Sequence, residues 1–419
     1  MSLRILHIST RLILGGSQEN TVLSCEGQAR LGRQVHLAFG PIFGPEGSMR
    51  PRVEAFNERA AGDASAKPIT LHELPHMVRQ ISPIKDHFCF HHDLKRLMRD
   101  VQPDVVHTHS SKAGILGRWA AWKSSPRPAV VHTIHGPPFM PVEGGAFSRL
   151  KIRSKNHIYT IAERFAAKRC HTIVSVADAM TEQFLARGIG RPGQFVTVRS
   201  GMETEPYLEP RPSESRQEIR AELGIDGGDF VVGTVARLAQ HKGHDDILDA
   251  LGDDLLANEN WKLLWVGDGW WRDRLLKRVG ELGLESQVIC TGLVPPERVP
   301  AMMRAMDVLA HPSYREGLPR TVPQALLCGV CPVAYDVDGT REACIDGRTG
   351  RLVPLGDTQA LGDAVRQLWE RPDERARLAN QGRSDCAERF SAQTMVDALE
   401  DVYRDAIARA RPDADGHDA

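Results

Sequence analysis

The sequence has no long hydrophobic run, and this argues against a membrane-spanning helix. No window of the 419-residue chain reaches the roughly 18 consecutive apolar residues that such a helix requires. The apolar run that follows Met1 is too short for a signal peptide, so it predicts a buried strand instead. We therefore expect a cytoplasmic protein.

An excess of charge of either sign is also missing. The 53 basic and 54 acidic residues give a net charge of −1. This balance argues against binding of nucleic acid by the bulk of the surface, although it leaves room for a local basic patch. With 41% hydrophobic and 26% charged residues, the chain has the composition of a globular protein, and its length suits two domains of about 200 residues each.

Cysteines at zinc-site spacing are absent as well. Of the eight cysteines, Cys328 and Cys331 form a C-x-x-C pair, but no second pair follows at the spacing of a zinc site. Both lie between a predicted helix end and a predicted strand. We interpret them as packing residues, with redox or metal chemistry as the alternative. The mostly apolar surroundings of the cysteines fit a reducing compartment.

What the sequence does contain is an alternation of strands and helices. In the second half, apolar strands at 230–235, 263–266, 287–291, 308–310 and 330–335 alternate with helical periods. This alternation predicts an α/β fold with a doubly wound parallel sheet in each half. We expect domains at 1–200 and 201–391, with a helix at 392–409 completing the first domain and a disordered tail at 410–419.

The most informative stretch runs from His311 to Gly329. A short apolar strand leads into a turn punctuated by glycine and proline, and a short helix follows. Such a turn directs backbone N–H groups and the positive end of a helix outward, which suits a phosphate. Glu316, the acidic residue of the turn, should therefore contact another part of the ligand, such as a sugar hydroxyl.

Two cations follow the first strand of the second half. Arg237 and Lys242 lie in the loop after residues 230–235. Ligands of open parallel sheets bind at the carboxyl ends of the strands. An arginine and a lysine at this edge would neutralise a diphosphate, and the alternative is a pair of solvated surface charges.

The first half opens in a similar way. A buried strand at 3–9 is followed by Gly15, Gly16 and Ser17 and then by a helical period, which is again a turn suited to an anion. The alternative is a plain tight turn. The segment 40–68 has no clear period, and we interpret it as a mobile surface loop or a helical insert.

Histidines stand where two further strands of the first half are expected to end in loops. His107 ends a predicted strand at 104–107, and His109 lies in the loop after it. His135 follows the other strand, beside a glycine and two prolines. Alternate positions of a strand share a face, so these three histidines could hold a metal. However, no acidic residue or cysteine stands nearby to complete a common ligand set. The other interpretations are structural histidines and histidines that contact a ligand, for which His135 is best placed.

Taken together, these motifs resemble those of the retaining glycosyltransferases of family four, which have the GT-B fold. The resemblance spans roughly residues 3–400 and rests on Arg237 with Lys242, on Glu316 with its Gly-Leu-Pro turn, and on the segments 339–342 and 346–350. The family's donor-site pattern is Glu-x7-Glu, and here the second position is Gln324. A glutamine bonds a ribose through one acceptor oxygen and without charge, so we expect an active enzyme with altered nucleotide affinity.

The resemblance implies two Rossmann-like domains facing across a cleft, the second binding a nucleotide-sugar and the first an acceptor. It implies transfer of a hexosyl or N-acetylhexosaminyl group from a UDP-sugar to a hydroxyl of a glycan or lipid-linked glycan in surface-polysaccharide synthesis. The configuration would be retained, without a metal or cofactor. The expected catalytic residues are His135, Arg237, Lys242 and Glu316. The expected donor-binding residues are Gly16, Arg237, Lys242, Gly317, Leu318, Pro319, Arg320, Thr321 and Gln324, and the expected acceptor-side residues are Ser17 and His109.

Alternatives to parts of this interpretation stay open. The basic helical run at 149–169 has an apolar side, which is typical either of a helix on an anionic membrane surface or of a solvated helix packed on its own domain. Asp336 and Asp338 form a D-x-D motif that another transferase fold uses for Mn²⁺. The rival functions are a nucleotide-sugar epimerase on the same fold and a non-catalytic nucleotide-sugar-binding protein.

Overall fold

The chain forms two compact units, residues 1–202 with 392–419 and residues 203–391. The computed structural model describes residues 2–42, 47–62, 66–136, 138–139 and 146–411. Most of the predicted tail therefore lies outside the described residues, whereas Ala410 is still helical. No helix in these described ranges combines the length and the apolar composition needed to cross a membrane.

The N-terminal unit is a parallel sheet flanked by helices. Its strands are β1 (Arg4–Arg11), β2 (Gln34–Gly40), β3 (Thr70–Glu73), β4 (Val105–His109), β5 (Ala129–Ile134), β6 (Thr172–Ser175) and β7 (Phe195–Thr197). Its helices are α1 (Gly16–Arg30), α2 (Arg50–Ala60), α3 (Pro83–Phe88), α4 (Lys95–Val101), α5 (Ser111–Lys123), α6 (Ala146–Ala167), α7 (Asp178–Leu185) and α17 (Ala392–Ala410). A π-helical turn (Cys89–Leu94) joins α3 to α4, and a 3-10 turn (Pro192–Gln194) precedes β7.

The strands of this sheet are ordered β3-β2-β1-β4-β5-β6-β7, and every pair is parallel. Strands β4 and β5 are buried along their whole length, as expected for a parallel sheet covered on both faces. The strand order reverses between β1 and β4. The carboxyl ends of these two strands therefore form the edge where open parallel sheets bind ligands.

The C-terminal helix α17 belongs to the N-terminal unit. Its apolar residues recur at helical spacing and form one buried face, which packs on β1, β4 and β5. Helix α1 approaches α17 closely, because a Cβ at Gly27 would stand 2.4 Å from Cγ2 of Val396. The chain thus returns to its first unit to complete the core.

The C-terminal unit is a second parallel sheet. Its strands are β8 (Phe230–Val235), β9 (Trp261–Val266), β10 (Val288–Gly292), β11 (Val308–His311), β12 (Cys331–Tyr335) and β13 (Arg351–Val353). Its helices are α8 (Glu205–Leu208), α9 (Arg216–Glu222), α10 (His244–Ala257), α11 (Arg272–Glu281), α12 (Val299–Arg304), α13 (Thr321–Leu327), α14 (Thr340–Ala343), α15 (Thr358–Glu370) and α16 (Pro372–Arg389). Short 3-10 turns (Gln240–Lys242 and Pro296–Arg298) precede α10 and α12.

The order of this sheet is β10-β9-β8-β11-β12-β13, again with parallel pairing throughout. Its core contains Trp261 and Trp265 from β9 together with the apolar faces of α10, α11, α15 and α16. The order reverses between β8 and β11, so the loops after these two strands meet at the ligand-binding edge.

The segment 40–68, which we interpreted as a mobile surface loop or a helical insert, contains a helix. Helix α2 begins at Arg50, and β3 follows this segment as an edge strand of the sheet. Residues 89–101 form a π-helical turn followed by α4. Both Cys328 and Cys331 have free thiols, and burial raises the pKa of each to about 12, which fits packing residues.

Candidate active site

The loops after β8 and β11 bring Lys242 and Glu316 into contact. The ammonium Nζ of Lys242 donates to Oε1 of Glu316 at 2.6 Å and to Oγ of Ser313 at 3.4 Å. His311, the last residue of β11, places its Nε2 3.2 Å from the same carboxylate oxygen. These distances bring two of the four predicted catalytic residues together at one edge of the second sheet.

A glycine allows the two loops to approach each other. Gly243 follows the 3-10 turn with φ of 70°, in the left-handed region that favours glycine. A Cβ at this position would stand 2.1 Å from the carbonyl oxygen of Pro312. The amide of Tyr314 also donates to the carbonyl of His241 at 2.9 Å. The position of Lys242 beside Glu316 therefore depends on backbone contacts as well as on the ion pair.

Glu316 remains ionised although it is mostly buried. Burial by itself would raise the pKa of this carboxyl, but the Lys242 ammonium and the His311 imidazole more than offset burial. The net pKa lies well below the ordinary value of a glutamate. A permanently charged carboxylate that accepts hydrogen bonds is suited to holding hydroxyl groups of a ligand.

Arg237 lies in the same loop as Lys242, and its side chain is exposed. Its guanidinium carbon stands 5.6 Å from the ring centroid of Trp270, within the range of a cation–π contact. Trp270 belongs to the loop that follows β9, and 67% of its surface is accessible. The structure thus brings Arg237 to the edge of the sheet that carries Lys242 and Glu316.

The two carboxylates of the D-x-D motif are both engaged by protein groups. Asp336 accepts two hydrogen bonds from the guanidinium of Arg341, at 2.9 and 3.0 Å. Asp338 accepts from the backbone N–H of Glu316 at 2.8 Å, and its φ is 44°. Asp338 therefore orients the turn that carries Glu316. From the sequence, Asp338 was only a candidate metal ligand, and its contact with Glu316 was not predicted.

The predicted donor-binding residues after Glu316 form the turn and the first part of α13. Leu318 is buried, and Thr321 begins the helix with its Oγ1 3.2 Å from Nδ1 of His311. Gln324 is 8% exposed in the same helix. Gly317 accepts from the amide of Gly339 at 3.1 Å. The remaining residues of this predicted set, Pro319 and Arg320, lie between these positions.

In the N-terminal unit, the turn between β1 and α1 carries Gly16 and Ser17. Gly16 is the first residue of α1, and Oγ of Ser17 donates to Oε1 of Gln18 at 2.8 Å. This turn lies at the carboxyl end of β1, beside the point where the strand order reverses. The strand, the turn and the helix follow one another in the predicted order.

The histidines of the N-terminal unit lie deeper than predicted. His109 was expected in a loop, but it is the last residue of β4 and is 2% exposed. Its Nδ1 lies 3.0 Å from Nε2 of His135, and its Nε2 lies 2.9 Å from Nδ1 of His7. Strand β4 ends two residues later than predicted. It pairs with β1 as far as Thr108 and with β5 as far as His109.

His7 was missed by sequence reasoning. It pairs directly with His107 in the register of β1 and β4, so both side chains lie on the same face of the sheet. One ring nitrogen from each of His7, His107 and His109 lies within 4.8 Å of the other two. The sequence signal that could have indicated His7 is a polar residue within the otherwise apolar start of β1.

These three histidines already have hydrogen-bond partners within the protein. His7 bonds Gln28 at 2.8 Å, and His107 bonds Tyr403 at 2.6 Å and Thr133 at 2.7 Å. Burial lowers the pKa of His7 to about 4 and those of His107 and His109 well below the ordinary value. The rings are therefore neutral, and their nitrogens serve hydrogen bonds.

Comparison with known proteins identifies the family. The model for Glycosyltransferase Family 4 matches residues 14–205, and the model for Glycosyl transferases group 1 matches residues 215–385. The 2-deoxystreptamine N-acetyl-D-glucosaminyltransferase of Streptomyces fradiae is 30% identical over 326 residues, which are 75% of this chain and 74% of that protein. The chain belongs to the family 4 glycosyltransferases. The prediction of a glycosyltransferase is thereby confirmed.

The chain is also similar to a second curated transferase and to a solved structure. The UDP-Gal:alpha-D-GlcNAc-diphosphoundecaprenol alpha-1,3-galactosyltransferase of Escherichia coli is 26% identical over 341 residues, 80% of this chain and 83% of that protein. The crystal structure of Anabaena Alr3699/HepE in complex with UDP matches with a TM-score of 0.74 at 22% identity, covering 96% of this chain and all of that one. This likeness confirms the predicted GT-B fold with its two Rossmann-like domains.

Proposed function

We propose that this transferase moves a glycosyl group from a UDP-sugar to a hydroxyl of a glycan or lipid-linked glycan, with retention of configuration and without a metal. The contact between Lys242 and Glu316 carries the proposal, because it joins a phosphate-binding cation to a hydroxyl-binding carboxylate at the ligand edge of the sheet. The UDP and UDP-glucose complexes of the Anabaena protein and the lipid-linked acceptor in the name of the E. coli relative support the choice of substrates.

The leaving group of this reaction is a nucleoside diphosphate, and its growing negative charge needs stabilisation. In our proposal, Arg237 and Lys242 provide this charge, together with the backbone N–H groups near Leu318, Arg320 and Thr321. An ammonium has three N–H donors, and Lys242 uses two of them on Glu316 and Ser313. The third N–H is available for a phosphate oxygen while the ion pair with Glu316 persists.

Glu316 then holds hydroxyls of the donor sugar and is not a nucleophile. Its bond to Lys242 couples the sugar-binding carboxylate to the diphosphate-binding ammonium. The acceptor hydroxyl attacks the anomeric carbon on the face that the diphosphate leaves, and the departing phosphate takes its proton. His135 contacts the donor sugar, and Gln324 contacts the ribose. Gly16 lies at the donor and Ser17 at the acceptor. His109, which was predicted on the acceptor side, is buried and contacts His135 instead.

A test of this function separates transfer from its rivals. We would incubate the protein with UDP-glucose, UDP-galactose and UDP-N-acetylglucosamine, each with and without a lipid-linked glycan, and follow donor and product by NMR. Transfer predicts a new glycosidic linkage with the anomeric configuration of the donor, formed only when the acceptor is present and unaffected by EDTA. Conversion of one UDP-sugar into another without acceptor would indicate an epimerase, and binding without turnover would indicate a non-catalytic protein.

A second proposal concerns the surface on which the protein meets its acceptor. We infer that helix α6 lies on an anionic membrane surface. Leu150, Ile158 and Ile161 are 64%, 62% and 53% exposed, and Phe165 continues their stripe at helical spacing. The basic residues of this stretch flank the stripe: Arg149, Lys151, Arg153, Lys155, Arg164, Lys168 and Arg169. Such a combination is typical of interfacial helices.

The acidic residue of α6 does not reduce the positive charge of this surface. Glu163 is buried, and its Oε2 accepts from Arg118 at 2.6 Å in the interior of the unit. The exposed face of the helix therefore carries basic and apolar side chains together. A glycosyltransferase whose acceptor is attached to a lipid would benefit from such a surface, because its substrate would be concentrated there.

A further inference from the structure

A continuous chain of hydrogen bonds crosses the core of the N-terminal unit. It consists of six side-chain contacts between 2.6 and 3.0 Å, and it draws its members from β1, α1, β4, β5, the residue after β5 and the C-terminal helix α17. Its members are, in order, His135, His109, His7, Gln28, Tyr403, His107 and Thr133. Of these, all except His135 are buried.

Each contact in this chain is made by one proton. A neutral imidazole has one N–H donor and one nitrogen lone pair, so a histidine that accepts at one nitrogen must donate at the other. Burial keeps the interior histidines neutral. The direction of donation is therefore passed from one member to the next along the whole chain.

Gln28 stands near the middle, and its amide has one end that accepts and one that donates. Its Oε1 lies 2.8 Å from Nε2 of His7, and its Nε2 donates to Oη of Tyr403 at 2.9 Å. In this orientation His7, His109 and His135 all carry their protons on Nε2. Nδ1 of His135 is then an acceptor.

Rotation of the Gln28 amide by half a turn gives a second state in which every contact is also satisfied. The amide N–H then donates to His7, and His7 and His109 donate from Nδ1 to the next ring. His135 consequently carries its proton on Nδ1, and that nitrogen becomes a donor. The two states use the same heavy-atom positions, so the orientation of one amide distinguishes them.

We propose that Gln28, in the amide orientation that the structure shows, sets the tautomer of His135 through this chain. The consequence for catalysis rests on the proposed function, in which His135 contacts the donor sugar. A His135 that accepts at Nδ1 binds a sugar hydroxyl as a proton donor, whereas the other tautomer requires an acceptor. Gln28 is thus a positioning residue that lies away from the substrate.

The decisive variant is Gln28→Leu, which removes the acceptor for His7. A buried N–H without an acceptor is less tolerable than an unused lone pair. His7 is fully buried and is therefore expected to move its proton to Nδ1. The reversal passes through His109 to His135, which is only partly buried. In the wild type, ¹⁵N NMR of histidine-labelled protein should show His7, His109 and His135 protonated at Nε2. In Gln28→Leu it should show His135 protonated at Nδ1.

Thr108→Val is the matched control. Thr108 lies in β4, is fully buried, and places its hydroxyl 2.9 Å from Nδ1 of His132, which is outside the chain. The control removes a buried hydroxyl bonded to a histidine but should leave the tautomer of His135 unchanged. Donor kcat/KM should fall about tenfold in Gln28→Leu, as for the loss of about one hydrogen bond, and should remain near the wild-type value in Thr108→Val.

The tautomer measurement needs no substrate, so it separates this proposal from the proposed function. An unchanged His135 tautomer in folded Gln28→Leu would overturn the role of Gln28, whatever the activity. A reversed tautomer in a protein that transfers no sugar would support the chain and count against the function. If Gln28→Leu does not fold, mixed tautomers at His7, His109 and His135 in the wild type would refute the chain. A stoichiometric metal in the purified protein would refute it as well.

Discussion

The ion pair between Lys242 and Glu316 joins two loops that follow adjacent strands of one sheet. Their side-chain atoms approach to 2.6 Å, and the strands β8 and β11 pair directly at the point where the strand order reverses. Burial by itself would raise the pKa of Glu316, and Lys242 opposes this effect, while the contact holds both side chains in position. Perturbation of either residue should therefore affect both the diphosphate and the sugar in the proposed reaction.

Lys242→Ala should reduce glycosyl transfer by a factor of about one hundred or more, because it removes a cation that stabilises the leaving group. It also leaves the Glu316 carboxylate without its ammonium, so the assay should be made at a temperature where circular dichroism shows a folded protein. Lys277→Ala is the control, since that lysine side chain is 78% exposed on α11. Equal turnover of the two variants would contradict the assigned role of Lys242.

Gln324→Glu should tighten the binding of UDP about fivefold, because a charged acceptor adds about 1 kcal/mol to a hydrogen bond with the ribose. Isothermal titration calorimetry with UDP would measure the effect. Gln324→Leu is the matched control, and it should weaken binding because it removes the side-chain acceptor altogether. An affinity of Gln324→Glu equal to or below that of the wild type would speak against contact between residue 324 and the ribose.

Much of the second sheet was predictable because its strands are short apolar runs bounded by polar turns. The observed bounds of β8 are the predicted ones, and a helix follows this strand as the alternation predicted. The proximity of Lys242 and Glu316 could be expected only in part. Both residues follow strands and must lie at one edge, but the pairing of β8 with β11 depends on a strand order that no local pattern contains.

The elements that were missed have weak local patterns or depend on distant residues. Helix α2 was predicted only as one of two alternatives, because it is largely polar, with few buried residues, and its helical period is faint. β3 has only four residues and lies at the edge of the sheet. The chain that links His135 to Gln28 and Tyr403 joins residues that are up to 375 positions apart. It exists only because α17 packs on the first sheet.

Replacing both Ile158 and Ile161 with glutamate should weaken binding to anionic vesicles by about tenfold or more. The change removes exposed apolar surface and adds two negative charges beside the basic residues of α6. Co-sedimentation with vesicles of phosphatidylcholine and phosphatidylglycerol would measure it, and vesicles of phosphatidylcholine alone should bind the wild type more weakly. Leu293→Glu, at a leucine that is 78% exposed in the C-terminal unit, should bind as the wild type does. Failure of the wild-type protein to co-sediment with anionic vesicles would refute the membrane proposal.

His244→Leu should make the C-terminal unit more resistant to acid. The imidazole of His244 is buried against Trp265, and within the described residues neither of its ring nitrogens has a hydrogen-bond partner. Burial lowers its pKa from 6.5 to about 4, with Asp245 opposing and Lys242 reinforcing this shift. The imidazole of His244 therefore takes up a proton near pH 6.5 in the unfolded chain, but only at about pH 4 in the folded protein. The contribution of the neutral ring to the free energy of unfolding is complete above pH 6.5 and declines as the pH falls toward 4.

Removal of the imidazole abolishes this proton uptake by the unfolded state. Between pH 7.5 and pH 5, the free energy of unfolding of His244→Leu should rise relative to the wild type by about 2 kcal/mol, as expected from linkage. Urea denaturation at the two pH values would measure the difference, with His87→Leu as the control because His87 is exposed on α3. Wild-type and His244→Leu stabilities that decline in parallel would show that the ring is already solvated or protonated in the folded protein.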